Sequence, residues 1–205
     1  MRKLSTCFLA ACAAALFVLV TSTTRIARGD DASGEKGKSV TMPFVIYGDA
    51  VKDPPYIWSG WMGDIPSIAI DPACSDNPHS GNACMKCEFK AITGYGGVVW
   101  QNPANDWGDQ PGGFDLTAAT KLTFWARGDT GGEVVTFKMG ILGKTAKHPD
   151  SGSAGLENVT LTKDWKQYTI DLKGQDLTDI KTGFMWLAAS TGKPVAFFLD
   201  DVQYE

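Results

Sequence analysis

Between Val40 and Glu205 the apolar runs are short, they are separated by clusters of Gly, Pro, Asn and Asp, and none repeats with the period of an amphipathic helix. A chain punctuated in this way folds as a sandwich of short strands. The spacing predicts strands at 40–48, 67–71, 83–91, 96–101, 120–127, 133–141, 158–162, 166–172, 182–189 and 195–204. Several alternate cleanly. Leu122, Phe124 and Ala126 oppose Thr123, Trp125 and Arg127; Val135, Phe137 and Met139 oppose Thr136 and Lys138; Tyr168, Ile170 and Leu172 oppose Gln167, Thr169 and Asp171. One sheet therefore carries a tryptophan on a polar outer face. GFMWLAA (183–189) and VAFFL (195–199) are apolar on both faces, as central strands are. Asp49–Pro66, Asn102–Gly113 and Gly143–Gly155 are too long for tight turns and read as functional loops.

The 205 residues, 43% hydrophobic and 11% aromatic, exclude a disordered, collagen-like, coiled-coil or polytopic membrane chain. A net charge of -4 with no Lys/Arg cluster gives nothing that would hold a nucleic acid.

The N-terminus has its own pattern. Met1-Arg2-Lys3 is basic, Leu4–Val20 is uncharged and apolar, and small residues at Ala27 and Gly29 suit a cleavage site. We expect residues 1–29 to be a signal peptide for export to the periplasm or medium, 30–39 a flexible leader, and 40–205 the domain. An uncleaved anchor is the rival, and Leu9-Ala10-Ala11-Cys12 resembles a lipobox. A membrane is expected only if the signal is retained or lipidated. Cleavage would remove four basic and no acidic residues, leaving a more acidic domain.

It would also leave three cysteines. Cys74, His79, Cys84 and Cys87 are spaced like zinc ligands, but strand alternation puts Cys84 and Cys87 on opposite faces, so no zinc is expected. In an oxidising compartment the expectation is a Cys74–Cys84 disulfide across the intervening turn, with Cys87 as a buried hydrophobe.

The stretches YIWSGWMGD (56–64) and VVWQNPANDWGD (98–109) concentrate indoles among Asn, Asp and Gln, whose aromatic faces and polar groups suit sugar rings. Tryptophans also fill the cores of small sandwiches, and at least three of the seven are expected to do so. Together with LTFWARG (122–128), EVVTFKMG (133–140), LTKDWKQYTIDLKGQDL (161–177), GFMWL (183–187) and FFLDDVQYE (197–205), the chain resembles bacterial carbohydrate-binding-module-like domains of the galactose-binding-like superfamily. The resemblance implies an all-β, two-sheet antiparallel jelly roll with a glycan site on a concave sheet or loop rim. It also implies a structural calcium held by Asp49, the Asn77–Asn82 turn and Asp200 or Asp201, a donor set with the hard oxygens calcium requires. No EF-hand loop accompanies these residues.

The expected ligand contacts are an outward row of Trp125, Arg127 and Lys138 with Trp100, Gln101 and Trp186, and Trp58, Trp61 and Trp107 from the loops. Arg127 could instead pair with an acid across the sheet. Three functions stay open: non-catalytic polysaccharide binding, docking of an envelope or extracellular protein through the same aromatics, and a small glycan hydrolase or lyase. Against the third, Glu88 and Glu133 lie in no paired-carboxylate run, and His79 and His148 both sit beside proline in loops.

Overall fold

Two antiparallel sheets face each other in the computed structural model, which describes residues 36–205. The expected signal peptide and most of the leader lie outside the described residues. In chain order the strands are β1 Lys38–Ser39, β2 Phe44–Tyr47, β3 Ile57–Gly63, β4 Ile68–Cys74, β5 Cys84–Phe89, β6 Tyr95–Gln101, β7 Phe114–Asp115, β8 Lys121–Gly128, β9 Val134–Met139, β10 Ala154–Thr160, β11 Lys166–Asp171, β12 Thr182–Ala189 and β13 Val195–Tyr204. The helical content of this region is one 3₁₀ turn, Ile65–Ser67.

The larger sheet runs β11-β8-β13-β5-β4, with β2 also paired to β13; the smaller runs β10-β9-β12-β6-β3. The strands apolar on both faces, β12 and β13, are central in their sheets, as their sequences predict. β1 and β7 form a small parallel pair of their own, so structure begins inside the expected leader.

The inward rows meet as aromatic pairs. Phe124 of one sheet lies 4.7 Å from Phe137 of the other, and Trp186 stands edge-on to Phe197 at 5.3 Å. Each such ring removes a large apolar surface from water and interlocks with its neighbours, so these pairs hold the sheets face to face.

Two expectations fail at the two edges of the smaller sheet. The segment Asp49–Pro66, read as a loop, contains β3, and the segment Gly143–Gly155 gives way to β10 at Ala154. Both are edge strands, and both are shifted in register, β3 between Trp58 and Gly60 and β10 between Leu156 and Val159. A bulge breaks the alternation on which strand reading depends.

Candidate functional site

The larger sheet's outer face is built around the turn that joins β4 to β5. Asp201 has left-handed backbone (φ 48°), and β13 slips register against β8 between Asp200 and Gln203. Simple alternation would send neighbouring side chains to opposite faces. The bulge instead turns both carboxylates toward the same turn. Asp200 Oδ2 accepts from the His79 and Ser80 N–H groups at 3.0 and 3.2 Å, and Asp201 accepts from Ser80 Oγ at 2.9 Å and meets His79 Nδ1 at 2.8 Å. Asp49 Oδ2 takes the Asn82 N–H at 2.5 Å. Gly81, at φ 56°, makes room for it, since a Cβ there would fall 1.8 Å from that oxygen. Burial pushes the Asp200 carboxyl above its ordinary range, Asp201 adds to this, and the turn's N–H groups oppose it.

The acids expected to hold calcium are therefore gathered on one turn. His79 Nδ1 and one oxygen each from Asp200 and Asp201 lie within 4.8 Å of one another. Their charge and oxygen donors fit a hard cation, while His79 adds a nitrogen.

The same turn changes the reading of Trp125 and Arg127. They face outward as expected, but their recognition surfaces are occupied. The His79 imidazole stacks on Trp125 at 3.7 Å, nearly parallel at 17°. Arg127 lies 3.6 Å over Phe198, donates to the Asp76 carbonyl at 2.8 Å and pairs with its carboxylate. Trp165, not singled out from the sequence, donates from Nε1 to the Asn77 carbonyl at 2.8 Å. These residues clamp the turn.

Cys74 and Cys84 sit opposite each other in the β4–β5 register, yet all three described cysteines are free thiols and the expected disulfide is absent. The Cys84 thiol points to the carbonyls of Cys74 and Asp76 instead. Burial pushes it up to about 12. Cys87 lies in the core on the other face of β5, as its alternation predicts.

The smaller sheet's outer face is open along one part: Val99 and Met185 are buried on it, whereas Thr136, Leu187 and Met62 keep free surface. Register places Lys138, Met185, Val99 and Gly60 in one row across β9, β12, β6 and β3, and Thr136, Leu187, Gly97 and Met62 in the next. Lys138 Nζ holds Glu157 at 2.5 Å and so depresses the Glu157 carboxyl. Tyr95, half-exposed, opens β6 at one end of this face. At the other end the loop after β6 folds back, its Asn105 N–H bonded to Ser59 Oγ at 2.7 Å, and carries the exposed Trp107. The loop after β9 packs against it: the His148 N–H donates to Gly108, and Asp150 collects the N–H groups of Leu142, Lys181 and Thr182. Beneath lies a buried ion pair between Lys181 and Asp179.

Besides Arg127, three expected contacts are buried. Trp100 and Trp186 share the inward side of their strands with Val98 and Phe184 and belong to the core. Gln101 does face outward but is covered: its Oε1 accepts from Ser59 Oγ, and Gly60 leaves room for its carboxamide. Trp58 and Trp61 pack against the core with part of their surface exposed. Lys138 and Trp107 alone of the nine expected contacts lie on or beside the open face with free surface. Tyr95 was missed, because no alternation marks a strand beginning Tyr-Gly-Gly.

Glu88 lies between Lys86 and Lys90, and Glu133 turns back to cap Thr130, so these two glutamates belong to separate structural contacts.

No protein-family model matches the chain, and no curated protein does. Solved structures do. A family 30 carbohydrate-binding module of a cellulosomal cellulase of Clostridium thermocellum superposes with a TM-score of 0.54 at 16% identity, over 80% of this chain and 98% of that one. A family 11 module from the same organism, in complex with a β-1,3-1,4-mixed-linked tetrasaccharide, gives 0.52 at 14% identity, over 80% and 96%. A second family 11 structure, described as the module of the cellulosomal cellulase Lic26A-Cel5E of Clostridium thermocellum, gives 0.51 at 15% identity, over 71% and 85%. The domain thus has the β-sandwich, jelly-roll fold of carbohydrate-binding modules.

Proposed function

We propose that this domain binds polysaccharide without cleaving it, along the outer face of the five-stranded sheet. The observation that carries the reading is the placement of Tyr95 and Trp107, the exposed aromatics among the described residues, at opposite ends of that face. Tyr95 and Gln101, the first and last residues of β6, are about 20 Å apart. Two rings at that order of separation suit a chain of sugars better than one. Thr136, Lys138 and Glu157 supply donors and acceptors between them. The fold shared with modules described as carbohydrate-binding supports the same reading.

Affinity electrophoresis through gels containing β-glucans, xylans, mannans, galactans or xyloglucan tests it. Retardation by one glycan, abolished by Tyr95→Ala or Trp107→Ala without release of reducing ends, is the expected result. Indifference to every glycan would favour protein docking through the exposed Ile65, Ile92 and Tyr95.

Two further parts of the reading concern the rest of the chain. Residues 1–29 act as a cleaved signal for export, which N-terminal sequencing of secreted protein checks. Calcium is held at the β4–β5 turn by Asp200 and Asp201, with Asp49 holding the turn itself through the Asn82 N–H, and the ion would offset clustered negative charge there.

A further inference from the structure

A blind recess opens at the sandwich edge, between the segment that follows β2 and the exposed side of β3. Its volume is about 310 Å³, near the lower end of the ~300–1,000 Å³ of small-molecule sites. Tyr47 and Trp58 line it, Val51 and Pro54 form its outer wall, and Asp49 and Lys52 stand among the lining groups. Its floor includes Ile46, a fully buried core residue, so nothing can pass through it into the domain.

Both rings are fixed before any ligand arrives. Trp58 packs edge-on against the buried Trp100 at 6.3 Å, and Tyr47 Oη donates to the Pro72 carbonyl at 2.9 Å. A ligand therefore loses little affinity to ordering them. Asp49 is positioned through its bond to the Asn82 N–H, made with one oxygen, and Lys52 is exposed. An apolar wall of indole and proline beside one carboxylate and one ammonium matches a molecule with an apolar ring face and hydroxyls at its rim. The closed floor selects a terminal unit over an internal one.

We propose that this recess binds the terminal pyranose of a saccharide, its ring against Trp58 and its hydroxyls on Asp49 and Lys52. The proposal rests on the glycan-binding reading and adds a second, end-recognising site to the sheet face.

The test is amide and indole NMR of the ¹⁵N-labelled protein titrated with methyl glycosides of glucose, galactose, mannose and xylose, run beside the polysaccharide gels. One glycoside is expected to shift the Trp58 indole and the Val51 and Lys52 amides. Val51→Trp, which fills the recess, is expected to abolish these shifts with the spectrum otherwise native, and Lys52→Ala to weaken binding about tenfold. Shifts that survive both substitutions overturn the proposal. If no glycoside shifts these signals while polysaccharide is still retarded through Tyr95 and Trp107, the recess site falls and the glycan reading stands. If glycosides and polysaccharides are both without effect, the two fall together.

Discussion

The His79 imidazole lies 3.7 Å from the Trp125 indole, and its Nδ1 is 2.8 Å from Asp201. One side chain thus joins the β4–β5 turn to β8 and to the last strand. His79→Ala removes the stack and the polar contact together and should destabilise the domain by about 1–2 kcal/mol, measured by urea unfolding. Polysaccharide retardation should not change, because the clamp and the proposed binding face belong to different sheets. Loss of retardation at unchanged stability would move the ligand site to the Trp125 side.

Chelation probes the neighbouring acids. Anything that binds the folded form alone raises the unfolding temperature by mass action. EDTA is expected to lower the melting temperature and added calcium to restore it, and Asp201→Asn should lose the response. A melting temperature indifferent to EDTA removes the ion from this turn.

The tryptophans divide by position. Trp100→Ala and Trp186→Ala each empty a fully packed site and should cost about 3–5 kcal/mol. Any binding they lose should follow the fraction unfolded. Tyr95→Ala and Trp107→Ala should keep stability within about 0.5 kcal/mol and still lose retardation. The reverse pattern would contradict the assignment of core and face.

Much of this organisation was legible in the sequence. The alternation around Phe124 and Phe137 identified the inward rows, and runs apolar on both faces marked the central strands β12 and β13. The Asp49, Asn77–Asn82 and Asp200–Asp201 convergence came from the family resemblance. What escaped depended on backbone irregularity and on pairing. Trp186 was read as an outward residue because its run is apolar on both faces, leaving no polar neighbour to set its side. β3 was hidden by Ser59, whose bulge interrupts the period. Trp125 was correctly placed outward, but nothing local shows that a histidine 46 positions earlier in the chain covers it.

Thiol chemistry separates the three described cysteines. Burial holds the Cys87 thiol well above its ordinary range and pushes Cys84 up to about 12, so both remain protonated and weakly nucleophilic at pH 8. In the native protein the half-buried Cys74 should alkylate first, with Cys84 and Cys87 reacting only on unfolding. Peptide mapping after denaturation without reductant should find all three alkylated. A peptide linking Cys74 to Cys84 would show that oxidation pairs them.

Acid stability has a local component at the last residue. Hydrogen bonds from Thr123 first, then Lys121 and Gln203, hold the Glu205 side chain at about 2, below the ordinary glutamate value. A carboxylate whose value is lowered on folding stabilises the fold above its unfolded value, and this contribution fades as pH falls through the folded one. Between about pH 4.3 and pH 2 the native domain should therefore lose stability through this group. Glu205→Gln removes the titration and should flatten that limb while lowering stability slightly at neutral pH, where solvent screening keeps the effect of a partly exposed cluster small. Parallel melting curves from pH 7 down to pH 2 check this. Identical slopes for the two proteins would mean that the Thr123 and Lys121 contacts do not hold the carboxylate in solution.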